Sequence, residues 1–148
     1  VTATKARTSF ATATASTTAS SMLLAVDFDG TVVEHRYPDI GLPVPGAIES
    51  LREAQNLGAR IMLWTMRDGS ELAAAVAYMI DNGIKLFGVN KNPETDWTTS
   101  PKLYAHCYID DAALGCPLRA SIGTDRPSAD WNEIRPMLLA RLNPLYCP

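Results

Sequence analysis

The chain has 148 residues, 47% of them apolar and 20% charged, with a formal charge of −3. That is enough for one domain with a real hydrophobic core, and it lacks the basic surplus that marks a nucleic-acid partner. Cys107, Cys116 and Cys147 are odd in number and show no Cys-x-x-Cys spacing, so neither a disulfide framework nor a zinc site is indicated. Reduced thiols predict a cytoplasmic protein, and no apolar run approaches the roughly 18 residues of a membrane span.

Residues 1–21 stand apart. Seventeen of them are Ala, Thr or Ser, with Lys5, Arg7 and no acid. Such a segment cannot bury a core of its own. It has no apolar stretch typical of a secretory signal, although its composition also matches organelle transit peptides. The preferred reading is a disordered extension, or an upstream start with Met22 as the functional first residue. The folded domain is expected over 22–148.

The first element is a strand, Leu23-Leu24-Ala25-Val26, running into Asp27-Phe28-Asp29-Gly30-Thr31-Val32. A short apolar run bounded by turn chemistry suits a buried strand of a parallel sheet. Strand period would put Asp27 and Asp29 on one side, and Gly30 allows a tight turn out of the sheet. Residues 33–44 are irregular and carry Glu34, His35 and Arg36. Pro45-Gly46 opens a helix with Ala47, Ile48, Leu51, Ala54 and Leu57 on one face, and Gly58 stops it.

A second buried strand is expected over 59–65, ending in Thr65 before Met66-Arg67-Asp68-Gly69. A hydroxyl at that position, beside a turn into a helix, suits anion binding together with backbone N–H groups. Asp68 to Glu71 has the chemistry of a capping box. The following helix runs to about Asn82 with Leu72, Val76, Met79 and Ile80 inward, and Gly83 ends it. A third strand covers 85–89, a polar loop 90–101, and a fourth strand 105–109, which ends in Asp110-Asp111. A fifth, edge strand is expected at 118–122. Pro136 argues against one unbroken helix from Asp130, so a turn at 131–134 and a helix over 136–142 are expected.

Strands alternating with helices predict an α/β fold, a Rossmann-like three-layer sandwich with a mainly parallel sheet and helices on both faces. Right-handed crossovers then bring Asp27, Asp29, Thr65, Asp110 and Asp111 to one edge of the sheet. Carboxylates gathered without a cation would repel one another. Hard oxygen ligands point to Mg²⁺ rather than zinc.

Taken in order, these motifs resemble the four signatures of the haloacid-dehalogenase superfamily over about residues 22–122. The first is Asp27-Phe28-Asp29-Gly30-Thr31-Val32, the second the strand ending in Thr65, and the fourth Asp110-Asp111. Lys102 is preferred over Lys91 as the lysine of the third. The resemblance implies a Mg²⁺-dependent phosphatase hydrolysing a phosphate monoester. Asp27 would be the nucleophile that forms an aspartyl-phosphate, and Asp29 the general acid and base. Mg²⁺ would be held by Asp27, the Asp29 carbonyl, Asp110 and Asp111. Thr65 and Lys102 would hold the phosphoryl group, with Arg67 and Arg36 as further substrate contacts. Neither 30–45 nor 83–101 has room for an inserted cap domain, so the resemblance is to capless members. The substrate is then a phosphorylated small metabolite or larger molecule, and a homo-oligomer is expected if it is small. A phosphotransferase or mutase, and a non-catalytic module that keeps the fold, are the competing readings.

Overall fold

The computed structural model describes residues 22–143; the expectation for residues 1–21 lies outside them. Four parallel strands form the central sheet: β1 (Leu23–Val26), β2 (Arg60–Leu63), β3 (Leu86–Val89) and β4 (Cys107–Ile109), in the order β3-β2-β1-β4. The register sets Leu23 opposite Arg60 and Val26 opposite both Leu63 and Ile109. The strands therefore end level with one another. The fold is α/β with a mainly parallel sheet, as the alternation of elements predicts.

Side chains of β1 alternate between two cores. Leu24 and Val26, with Ile61 and Leu63 of β2, pack on the helices α1 (Ala47–Asn56), α2 (Gly69–Asp81) and α3 (Trp131–Leu142). Leu23, Ala25 and Met62 face the other way, against Leu103 and Ala105. Fully burying one such aliphatic side chain stabilises by about 1.5–3 kcal/mol. All three helices thus lie on one face. The third layer is the crossover 90–106, which is loop over 90–101 as expected.

α1 and α2 end alike. Gly58 (φ 95°) donates to Gln55 O while Ala59 donates to Ala54 O; Gly83 (φ 80°) donates to Ile80 O while Ile84 donates to Met79 O. This double bond closes a helix around a left-handed residue, which glycine adopts without a Cβ penalty. The start of α2 departs from the capping-box expectation. Asp68 is the N-cap, but its side chain makes no capping bond, and Ser70 donates to Glu71 instead. Ala75 rather than Ile80 shares the buried face with Met79.

Two expectations for the last third are corrected. The fifth strand is only β5 (Leu118–Arg119), and it pairs antiparallel with β6 (Ser128–Ala129) in a separate hairpin. Ser121 onward turns away because Ile122 and Gly123 donate to the buried Glu34 carboxylate. α3 is one helix that runs through Pro136, opened by Asp130, whose side chain accepts from Asn132 N. Pro136 removes only the bond to the Asn132 carbonyl. Asn132 is exposed, so water can satisfy that carbonyl while Trp131, Ile134 and Leu138 hold the buried face. Among the described residues, no helix is long and apolar enough to cross a membrane.

Candidate functional site

Polar residues follow the level ends of all four central strands. The sheet's hydrogen bonds continue one step past them: Asp27 donates to Ile109 O, Trp64 to Val26 O, and Asn90 to Leu63 O. Asp27, Thr65, Asn90 and Asp110 are thereby set along the carboxyl edge, the place where open α/β sheets bind ligands.

Beyond Val26 the chain turns tightly. Thr31, Val32 and Val33 all donate to Phe28 O, and the Phe28 ring is fully buried. Strand period no longer applies there, and the two acids of the first motif part company. The Asp27 carboxylate gathers with Asp110 and Asp111, each offering an oxygen within 4.8 Å of the others. The Asp29 carboxylate turns to Arg67 instead. Gly30 (φ 91°) takes a left-handed conformation that favours glycine, and a Cβ there would crowd His35 Nε2 and Asp111 Oδ2.

Burial, followed by repulsion from Asp110 and Asp111, pushes the Asp27 carboxyl up to about 7. Hydrogen bonds from the Phe28 backbone and the Thr31 hydroxyl only partly oppose this. Thr31 is completely buried and stitches the cluster together. Its Oγ1 lies 3.3 Å from Asp27 Oδ2 and accepts from Asp111 N at 3.0 Å. Its carbonyl in turn accepts from Trp131 Nε1 at 2.7 Å, tying α3 to the site. His35 Nε2 lies 2.9 Å from Asp111 Oδ2. The donor set is all oxygen, close-packed and short of positive charge, which fits a hard divalent cation. Asp27, Asp110 and Asp111 are the residues able to hold it.

Thr65 sits at the mouth of this edge. Its N–H donates to Asn90 Oδ1 at 2.8 Å, and its Oγ1 accepts from Arg67 N at 3.2 Å, so the hydroxyl proton is left to point elsewhere. Arg67, expected as a substrate contact, is directed at Asp29. Its side chain is 1% exposed, and Nε and Nη2 fork onto the two Asp29 oxygens at 2.7 Å each. Nη1 donates to Pro38 O and Nη2 also to Asp39 O, while the guanidinium lies between the Phe28 and Tyr37 rings. Little of it is left for a ligand. Arg36, by contrast, is exposed, 3.9 Å from Asp39.

Lys91 and Lys102 are both exposed and form no ion pair with these acids among the described residues. They line one pocket of about 420 Å³, which begins at Asn90. A second pocket, of about 410 Å³, is mostly apolar and lies beside β4. Of the three clustered acids it reaches only Asp110, so it is not the acidic crevice. Thr31 and Asn90 are the site residues missed by reading the sequence for its acids alone. The signal for Asn90 was present, because it follows an apolar strand as Thr65 does.

No family model and no curated protein matches the chain. A solved structure does: it is described as that of the conserved protein coded by a locus from Bacteroides thetaiotaomicron, and it superposes with a TM-score of 0.68. The two are 38% identical, over 82% of this chain and 92% of the other. At that identity and coverage, the chain belongs to the same family as this conserved Bacteroides thetaiotaomicron protein.

Proposed function

We propose that this chain is a Mg²⁺-dependent phosphatase of the haloacid-dehalogenase type, acting on a phosphate monoester. One observation carries the reading. Asp27, the first acid of Asp-Phe-Asp-Gly-Thr-Val, meets Asp110 and Asp111 within 4.8 Å at the carboxyl edge of the sheet.

In this reading Asp27 attacks phosphorus in line and becomes an aspartyl-phosphate, which water then hydrolyses. Thr31 holds the attacking carboxylate in place through its hydroxyl. The Thr65 hydroxyl and Lys102 receive phosphoryl oxygens, with Lys91, which lines the same pocket as Lys102, as the rival lysine. Asp29 passes the proton to the leaving oxygen and recovers it from water; one of its two bonds to Arg67 has to yield when it does so. A bound Mg²⁺ would neutralise the acids and the developing phosphoryl charge. Arg67 serves as a positioning residue for Asp29.

In the same reading the protein works in a cytoplasm, which keeps thiols such as the free Cys107 and Cys116 reduced. If the substrate is a small metabolite, a second copy covers the open crevice.

The test is hydrolysis of p-nitrophenyl phosphate with Mg²⁺, with EDTA, and by Asp27→Asn. Activity should need the metal and fall to background in the variant. Turnover by Asp27→Asn above a few per cent of wild type would overturn the covalent mechanism.

A further inference from the structure

The segment between Glu34 and Leu42 leaves the site and comes back to it. Its base is closed by a bond from Glu34 N to Leu42 O and by the bridge between Val33 and Pro43. Gly41 passes so close to Glu34 that a Cβ would lie 1.9 Å from the Glu34 carbonyl oxygen. On one side His35 meets Asp111. On the other, the buried Arg67 ties the Pro38 and Asp39 carbonyls to Asp29. This lip is therefore anchored on acids of the site at both ends.

At its tip, residues 36–39 are all exposed. Tyr37 stands 63% exposed, with the Arg67 guanidinium 5.4 Å from its ring centre on one face. One guanidinium separates that ring from the Asp29 carboxylate. An aromatic ring held by a cation on one face, with the remainder open to water, is a preorganised stacking platform. In the phosphatase reading, a leaving group emerging past Asp29 would meet the exposed ring next to it.

We propose that Tyr37 is the specificity-determining residue of this site, stacking on the leaving group and selecting planar aromatic phosphate esters over compact alkyl ones. The proposal rests on the phosphatase reading. The lip's own geometry decides what the substrate looks like, while the acids decide what happens to it.

The experiment compares wild type, Tyr37→Phe and Tyr37→Ala on 1-naphthyl phosphate and on glycerol 2-phosphate with Mg²⁺. Tyr37→Ala should raise KM for the naphthyl ester roughly tenfold, the scale of lost ring stacking, with kcat little changed. KM for the glycerol ester should stay within about twofold, and Tyr37→Phe should match wild type on both. Equal shifts on the two esters, or none on either, would overturn the proposal. Titration with 1-naphthyl phosphonate and methylphosphonate, followed by calorimetry, separates the two levels of argument. If wild type hydrolyses nothing, the phosphatase reading fails. Tyr37 then stands only if the naphthyl compound binds wild type and Tyr37→Ala loses that binding selectively. Failure of the naphthyl compound to bind wild type in preference to methylphosphonate overturns the stacking site.

Discussion

Arg67 directs N–H bonds at both oxygens of Asp29 and at the carbonyls of Pro38 and Asp39, from a side chain almost closed to water. Asp29 draws the guanidinium still higher than its ordinary value, through the hydrogen bonds first and the charge second. A buried pair of this kind adds modest net stability but is costly to break, because the surviving charge has no partner. Arg67→Ala is therefore expected to lose about 3–5 kcal/mol in urea unfolding, since Asp29 and two carbonyls are orphaned together. Arg67→Lys keeps the charge without the fork and should lose less. A near-neutral Arg67→Ala would mean that water replaces the fork freely.

At the scale of the element, α3 shows where reading the sequence fell short. A proline six residues into a helix is a strong local signal for a break, and the expected boundary at residue 136 followed from it. The buried contacts of Trp131, Ile134 and Leu138, together with the Asp130 cap, outweigh one missing hydrogen bond on the solvent side. Pro136→Ala should restore that bond and stabilise the protein by about 1–2 kcal/mol. The interior-proline cost of about 3 kcal/mol is offset in part by the freer unfolded chain. A lower Tm for Pro136→Ala would show that the ring's packing outweighs the bond. The four strands, the glycine stops of α1 and α2, and the alignment of Asp27, Thr65 and Asp110 were legible, because each depends on local period or a local φ requirement. The split between Asp27 and Asp29 was not. It depends on Arg67, 38 residues along the chain, reaching back to Asp29. Nor was it legible that the crossover 90–106 would cover the second face of the sheet, since Leu103 looks like any loop residue until the face beneath it is known.

Across the described residues, the acidic crevice couples stability, protons and metal. The metal-free fold holds Asp27 with a pKa of about 7, against an ordinary value of 3.8, because it is buried beside Asp110 and Asp111. Between those two values the folded chain binds the extra proton, so stability falls as pH rises from about 4 through about 7, and the loss is complete above that. Asp27→Asn removes the charge while keeping the shape. In EDTA the melting temperature of the variant should exceed that of wild type by a margin that grows from pH 5 to about pH 7 and then holds to pH 8. A divalent cation binds the ionised form, so protons compete with it. Stabilisation of wild type by Mg²⁺ should then be greatest above about pH 7, with apparent affinity weakening by about tenfold per pH unit below it as one proton is displaced. Asp27→Asn should lose most of this stabilisation at every pH. The check is a set of melting curves at pH 5, 6, 7 and 8 with EDTA or Mg²⁺. A difference between wild type and Asp27→Asn that did not change with pH would show that Asp27 is already ionised in the metal-free fold. The crowding of the three carboxylates would then not be what prepares the site for a cation.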